Sequence, residues 1–214
     1  MGNELRGAAR DALVATAIEH LAKLGPVGVQ PQEICAELGL SKALVNYHFG
    51  GREGLIAEAV ATACERHSAE LGRLADRIDT GASPSATMEA LIEHQVRWGG
   101  EQPGLVAAAS HPDIAVGRGT LTDEQRQRMA ESGERNFAAV HKVLVAARAE
   151  LGGGREFGSD AEARQLAAIV GWVTLGMLTW NSGMFLPTST EEMAAGFEHT
   201  RQQLYALLRA ALAR

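Results

Sequence analysis

PQEICAELGLSKALVNYHF, residues 31–49, is the stretch of sequence that decides the fold. Pro31 can open a short helix, since the first helical position needs no N–H donor. Gly39 supplies the backbone freedom required just past a helix end, and Ser41 can cap a second helix. The apolar residues recur at helical spacing: Ile34, Cys35 and Leu38 in the first helix, and Leu44, Val45 and Phe49 in the second. Two short helices joined by a glycine turn predict a helix-turn-helix, whose second helix enters the major groove of DNA.

Together with the residues that follow, GGREGLIAEAV, this stretch resembles the DNA-binding end of the TetR family of bacterial transcriptional regulators. The matching positions are Ile34, Gly39, Leu40, Ser41, Tyr47, His48, Phe49, Arg52, Glu53 and Leu55. The sequence departs from the family's usual residues at Gln30, Leu44 and Asn46. The resemblance implies an all-α protein with a three-helix DNA-binding head at 1–51. A helical ligand-binding and dimerisation domain at 52–214 would follow it.

Candidate DNA contacts lie on and beside the second motif helix. Near its start, the residues left facing outward are Lys42, Ala43, Asn46 and Tyr47. An asparagine such as Asn46 can bind adenine through two hydrogen bonds. The resemblance implies that Tyr47, His48 and Arg52 hold phosphates, and that Lys42 reaches a phosphate or a guanine. The predicted DNA-binding set is Gln32, Ser41, Lys42, Ala43, Asn46, Tyr47, His48 and Arg52. The alternative is that these side chains only solvate an exposed helix.

Helical periodicity continues through the rest of the chain, and no segment alternates with the period of a strand. Helices are predicted at about 5–24, 52–78, 85–98, 105–110, 122–151, 159–180 and 191–214, with a loop at 111–120. Glycine pairs or triplets at 50–51, 99–100 and 152–154 are expected to end helices. The fold class is therefore predicted to be all-α.

The helix predicted at 159–180 is apolar nearly all round, so it needs cover on every side. In a chain of this length a second subunit is the expected cover, which predicts a homodimer. The predicted dimer interface is Leu166, Val170, Val173, Phe197, Leu204 and Leu208.

Aromatic, methionine and histidine side chains in the C-terminal part are candidates for a ligand pocket, which the TetR resemblance also implies. They are His94, Trp98, Met129, Phe137, His141, Trp172, Met177, Trp180 and Phe185. Any single one is as compatible with an ordinary core position as with a ligand contact. The apolar lining and the lack of a cationic cluster favour a small hydrophobic inducer over a phosphorylated metabolite.

Charge does not carry the DNA-binding prediction. The net charge is −6, and residues 1–66 hold six basic against eight acidic side chains. Only Lys42 and Arg52 form a small positive strip around the motif, with no acid between them. Such a strip predicts modest non-specific binding, with two copies needed for useful affinity.

Several other classes of protein are disfavoured. No apolar run is long enough for a membrane span, and the N-terminus lacks a signal-peptide pattern, which predicts a cytoplasmic protein with no membrane partner. Cys35 and Cys64 lack metal-ligand spacing, and no nucleophile or phosphate-loop motif occurs, so no metal, cofactor or enzymatic activity is expected. The predicted function is a homodimeric repressor, released from a near-palindromic operator in double-stranded DNA by the inducer. The alternative is an all-helical ligand-binding or enzymatic domain without DNA binding.

Overall fold

The computed structural model describes residues 2–181 and 190–214, which form α-helices joined by short turns, with no strand among them. The helices are α1 (Gly2–Gly28), α2 (Pro31–Leu38), α3 (Ala43–Phe49), α4 (Arg52–Asp76), α5 (Pro84–Glu101), α6 (Pro103–Ser110), α7 (Pro112–Val116), α8 (Asp123–Leu151), α9 (Asp160–Asn181) and α10 (Thr190–Leu212). A short 3₁₀ turn at Arg77–Thr80 follows α4. The predicted all-α fold is confirmed. None of the helices in the described part of the chain has an apolar stretch long enough to cross a bilayer.

Helix boundaries differ from the predicted ones where packing outweighs local preference. Helix α5 runs through Gly99 and Gly100, which were expected to end it. A glycine inside a helix costs only about 1 kcal/mol relative to alanine, and Gly99 is buried. The segment expected to be a loop at 111–120 contains α7. Helix α1 extends past its predicted end through a kink at Gly25, whose φ of 67° and ψ of 177° are not helical.

The described residues divide into two compact units, whose boundaries fall inside α4, between α5 and α6, and inside α8. The first unit comprises Met1–Arg66 and Gln102–Glu131, and the second comprises His67–Glu101 and Ser132–Arg214. The first unit therefore holds the start of α4, all of α6 and α7, and the start of α8, in addition to the predicted head. The functional division at 51/52 stays a prediction.

The core of the first unit forms where α1 packs against α2, α3 and α6. Its fully buried side chains include Leu13, Leu21, Val29, Ile34, Val45, Leu55, Ile56 and Leu105. At Gly104 the backbone of α6 comes so near α1 that an added Cβ would lie 2.2 Å from the Leu21 carbonyl oxygen. The same Cβ would lie 2.7 Å from backbone atoms of Gly25. Contact this close requires a residue without a side chain.

A buried ion network ties α1, α4 and α8 together within the first unit. The Glu58 carboxylate accepts hydrogen bonds from Arg10 (2.7 Å), Gln125 (3.1 Å) and Arg128 (3.0 and 3.1 Å). Arg128 also donates to both carboxylate oxygens of Glu65, at 2.8 and 2.7 Å. Burial alone would raise the pKa of Glu58, but the hydrogen bonds from Gln125, Arg128 and Arg10 hold that pKa below its ordinary value. Glu58 is therefore a buried anion that depends on its partners.

The second unit packs α5 against α9 and α10. Its buried side chains include Leu71, Met88, Leu91, Ile92, Val143, Leu144, Ala167, Val170, Leu204, Leu208 and Leu212. The start of α5 is held by Glu150 of α8, whose carboxylate accepts from the Ser85 N–H at 2.7 Å and the Ser83 hydroxyl at 2.8 Å. Ser159 caps α9, accepting from the Glu162 N–H at 3.2 Å.

Candidate DNA-binding surface and effector cavity

Glycines shape the two-helix motif as its sequence predicts. Helix α2 ends at Gly39 in the left-handed region (φ 64°), and the next N–H, that of Leu40, donates to the Cys35 carbonyl at 2.8 Å. The Ser41 hydroxyl oxygen accepts from the Ala43 N–H at 3.3 Å, at the start of α3. Helix α3 ends at Gly50, again left-handed (φ 72°). The turn thus lets both short helices pack against α1.

The inner side of α3 is apolar, and its outer side is exposed. Val45 is fully buried, whereas the residues predicted to read DNA face solvent. We name Lys42, Ala43, Asn46 and Tyr47, all exposed, the α3 outer face. Gln32 and Ser41 are exposed beside it. Tyr47 is 69% exposed, and its ring meets the edge of His48 at a centroid distance of 4.9 Å. An exposed aromatic ring with a hydroxyl tip is suited to contact a polar partner.

Arg52 and His48 differ from the other predicted DNA contacts because both are partly buried. Arg52 Nε donates to the Val29 carbonyl at 2.8 Å, and Nη2 donates to the carbonyls of Pro26 and Val27, the latter at 3.3 Å. Arg52 therefore satisfies carbonyls at and beyond the end of α1, which lack helical partners. The phosphate roles of Arg52 and His48 stay predictions. A substitution at Arg52 would disturb this contact as well as any phosphate contact.

A small cavity lies inside the second unit. Its volume is about 30 Å³, enough for one or two waters. The lining is aliphatic apart from two polar side chains, Gln95 and Thr174. The lining residues are Met88, Leu91, Ile92, Gln95, Val140, Val143, Leu144, Val170, Gly171, Thr174 and Leu208. The Thr174 hydroxyl donates to the Val170 carbonyl at 2.7 Å, so its proton is already used.

Next to Gln95 lies a cluster of three aromatic rings, which we call the His67–His94–Trp98 cluster. His67 Nε2 lies 3.0 Å from Gln95 Oε1, and His94 Nε2 lies 3.3 Å from His67 Nδ1. The Trp98 ring stacks on His67 at a centroid distance of 4.2 Å. Burial, followed by the nearby His94, lowers the pKa of His67 to about 4, although the Gln95 hydrogen bond opposes this shift. Burial also lowers the pKa of His94. Both rings are therefore neutral at pH 7.

Stability is expected to fall as the pH falls from about 6.5 to about 4, because the unfolded chain then binds a proton at His67 that the folded chain does not. Above that window both states hold a neutral ring, and this group has no further effect. The loss from His67 should be on the order of 2–3 kcal/mol. Urea unfolding of wild type and His67→Leu at pH 7 and pH 4.5 measures it. The variant should lose less stability than wild type between the two pH values, whereas His199→Leu, at an exposed histidine, should match wild type. Equal losses in all three proteins would contradict the prediction.

The predicted pocket residues are spread over several parts of the structure. His94 and Trp98 lie beside Gln95, and Phe137 stacks on His141 at a centroid distance of 6.3 Å on α8. Met129 lies in the first unit, and Trp172 is 74% exposed, so neither lines the cavity in the second unit. Phe185 and the side chains of Met177 and Trp180 lie outside what the structure describes. The described lining of the cavity is aliphatic, in contrast to the predicted aromatic pocket.

The predicted dimer residues also separate into two groups. Val170, Leu204 and Leu208 are buried within the second unit, and Leu166 is half-buried. The side chain of Phe197 lies outside the described ones. Val173 is exposed and lies in a stripe at helical spacing on α9, which we call the α9 outer stripe: Ile169 (50% exposed), Trp172 and Val173 (42%). This stripe, which shares only Val173 with the predicted interface, is the apolar surface that the described side chains of α9 leave open.

Comparison with known proteins agrees with the fold and the motif. Residues 13–59 match the family model described as "Bacterial regulatory proteins, tetR family". The fold resembles that of a TetR/AcrR-family transcriptional regulator from Thermobifida fusca, with 15% identity and a TM-score of 0.62 over 94% of this chain and 97% of that one. It also resembles the TetR family transcriptional regulator PfmR from Thermus thermophilus, with 21% identity and a TM-score of 0.60 over 92% and 97% of the two chains.

No curated protein matches the chain. At these identities the likeness to solved structures concerns the fold, and the family model covers the segment that includes α2 and α3. Residues 13–59 are thus similar to the DNA-binding segment of the TetR family of bacterial regulatory proteins, and the fold of the chain is similar to that of TetR-family transcriptional regulators.

Proposed function

We propose that this protein is a homodimeric repressor that binds a near-palindromic operator and leaves it when a small hydrophobic ligand binds the second unit. The observation that carries the proposal is the α3 outer face, where Lys42, Asn46 and Tyr47 stand exposed above a buried Val45. A helix held from one side, with polar and cationic groups on the other, suits insertion into a major groove. The protein acts on DNA in the cytoplasm and has no enzymatic role.

Dimerisation is part of the proposal because one head offers too little positive charge for tight binding. Two heads must contact half-sites about 34–36 Å apart, or a multiple of that distance, on one face of the duplex. The α9 outer stripe is the proposed contact, since an exposed tryptophan flanked by Ile169 and Val173 resembles the aromatic anchors of protein interfaces. A symmetric pair of copies would cover this stripe with its own equivalent.

Release by a ligand requires unequal binding to two conformations of the protein. A ligand with equal affinity for the DNA-bound and DNA-free forms would shift nothing, however tightly it bound. The cavity in the second unit is the proposed site, and its aliphatic lining favours an apolar molecule. Helix α4 is the proposed link, since its residues belong to both units.

Asn46→Ala is expected to weaken binding to the operator by about 1–3 kcal/mol while leaving binding to unrelated DNA nearly unchanged, because Asn46 is the proposed base reader. Lys42→Ala should reduce the slope of affinity against salt if its ammonium holds a phosphate. Fluorescence anisotropy with a fragment from upstream of the gene, beside a scrambled fragment, measures both effects across several salt concentrations.

Gln203→Ala is the matched control for Asn46→Ala, since it shortens an exposed amide on α10 in the second unit. It should bind both fragments as wild type does. If Asn46→Ala weakened binding to both fragments equally, Asn46 would not read bases. If the wild-type protein bound no fragment at low salt, the DNA-binding function itself would be contradicted.

A further inference from the structure

A short chain of hydrogen-bonded side chains connects α4 with the cavity in the second unit. It runs from His94 on α5 to His67 on α4 and then to Gln95, which lines the cavity. Each of the two hydrogen bonds is near ordinary length, at 3.3 and 3.0 Å. The chain therefore couples a cavity-lining side chain to a buried histidine on α4.

The chemistry of His94, His67 and Gln95 fixes which group donates and which accepts in each of the two hydrogen bonds. A carboxamide oxygen can only accept, so His67 Nε2 donates to Gln95 Oε1. A neutral imidazole with a proton on Nε2 has a lone pair on Nδ1, which must accept from His94 Nε2. Trp98, stacked on His67, holds that ring in place. Burial keeps both histidines neutral at pH 7, so the direction is maintained.

The consequence falls on the amide nitrogen of Gln95. The Gln95 oxygen already accepts from His67 and keeps one further lone pair, whereas both N–H groups of Nε2 remain to donate. Within residues 2–181 and 190–214, no acceptor is bonded to that nitrogen. The other polar lining group, Thr174, has already given its proton to the Val170 carbonyl. The Gln95 amide is thus the one donor group among the described side chains that line this largely aliphatic cavity.

We propose that the ligand is a neutral aliphatic molecule carrying a hydrogen-bond acceptor such as a carbonyl oxygen, which Gln95 Nε2 binds while His67 and His94 act as positioning residues. The inference rests on the proposed release by a ligand and names the ligand's class. A carboxylate is disfavoured, because no described lysine or arginine lines the cavity and a buried unpaired charge is costly. A purely aliphatic molecule would leave the amide donor unsatisfied when it expelled water.

The size of the cavity adds a condition. At about 30 Å³ it cannot hold a molecule of six or more carbons until lining side chains move. Met88 is the flexible member of the lining, since its unbranched thioether can adopt several rotamers. A ligand would then favour an expanded form of the second unit, which is the differential affinity that release from DNA requires.

The experiment uses methyl ketones of six to ten carbons, n-alkanes of the same lengths and the corresponding carboxylates. Calorimetry with the full-length wild-type protein gives their affinities, and anisotropy with the operator fragment gives DNA release. At equal length the ketone should bind about tenfold more tightly than the alkane, the worth of one added hydrogen bond. The carboxylate should bind most weakly. If no ketone binds, or if alkane and ketone bind equally, or if a carboxylate binds best, the proposal is overturned.

Two variants locate the effect. Gln95→Met keeps the side chain's length and removes the donor, so the ketone-to-alkane ratio should fall from about ten to about one, with alkane affinity kept. His67→Phe keeps an aromatic ring beside Trp98 but leaves the Gln95 amide free to rotate. The ketone-to-alkane ratio should therefore fall but stay above one. The wild-type ratio tests the ligand class even if a variant fails to fold.

A wild-type protein that binds ketones but no DNA would contradict the proposed repressor and leave this inference standing. A wild-type protein that binds DNA but is released only by another class of compound would contradict this inference and leave the proposed repressor standing. An unchanged ketone-to-alkane ratio in a folded Gln95→Met variant would show that Gln95 is not the contact.

Discussion

Arg128→Ala is expected to lower the free energy of unfolding by about 3 kcal/mol or more, because it removes a cationic partner of a buried carboxylate. The Glu58 side chain is only 8% exposed, and Arg128 contacts both of its oxygens. Arg10 and Gln125 would remain, and they cannot compensate the buried charge fully. Urea unfolding followed by circular dichroism at 222 nm, at one fixed protein concentration, measures the loss.

Arg126→Ala is the matched control, two residues away on the same helix. Arg126 pairs with Asp113 at 2.9 Å in an exposed salt bridge, which water screens, so its loss should change stability little. The double variant Glu58→Gln, Arg128→Met should recover much of the stability, since it removes the buried charge together with its partner. If Arg128→Ala cost no more than Arg126→Ala, the network would not stabilise the first unit.

Trp172→Glu is expected to convert the proposed dimer into monomers by raising the dissociation constant at least about 30-fold, the effect of losing one interface hot spot. The added carboxylate would face its own symmetric copy or an apolar surface, and either contact opposes association. Sedimentation velocity over a range of concentrations measures the change. Operator affinity should fall with it, because two linked heads bind a palindrome far more tightly than separate ones.

Ile114→Glu is the control for that experiment. Ile114 on α7 is 81% exposed and lies in the first unit, so the same kind of substitution there should leave the dimer intact. Val170 and Leu204 are unsuitable sites, since both are buried and a charge there would test folding instead of association. A wild-type protein that sediments as a monomer at micromolar concentration would contradict the dimer proposal.

The fold and the DNA-binding motif could be predicted from the sequence because their signals are local. Pro31, Gly39 and Gly50 each mark a helix end by their own local backbone preference, and those ends lie where expected. The inward direction of Val45 follows from helical spacing alone. The outward direction of Asn46, its neighbour, follows from the same spacing, so the α3 outer face needed no knowledge of the tertiary structure.

The α9 outer stripe and the cavity could not be predicted in the same way. Helix α9 is apolar nearly all round, so the spacing of its apolar residues does not indicate which side faces the core. The sequence therefore does not distinguish the buried Val170 from the exposed Ile169. The cavity is lined from four helices, and its aliphatic members differ in no local feature from ordinary core residues. The role of Arg52 could not be predicted either. The carbonyls that accept its hydrogen bonds belong to residues 23 to 26 positions earlier in the sequence.

The contact between Gly104 and the end of α1 has a consequence for how this sequence can diverge. A side chain at position 104 would collide with the Leu21 carbonyl and with the backbone at Gly25, and main-chain atoms cannot rotate aside as a side-chain tip can. Gly25 has a positive φ that disfavours any side chain of its own. A side chain added at one of these positions cannot be accommodated by a smaller residue at the other, because both are already glycine. The other residues of the two helices can be substituted one at a time during evolution. Gly25 and Gly104 must be kept together, because a side chain at either one would force α1 and α6 apart.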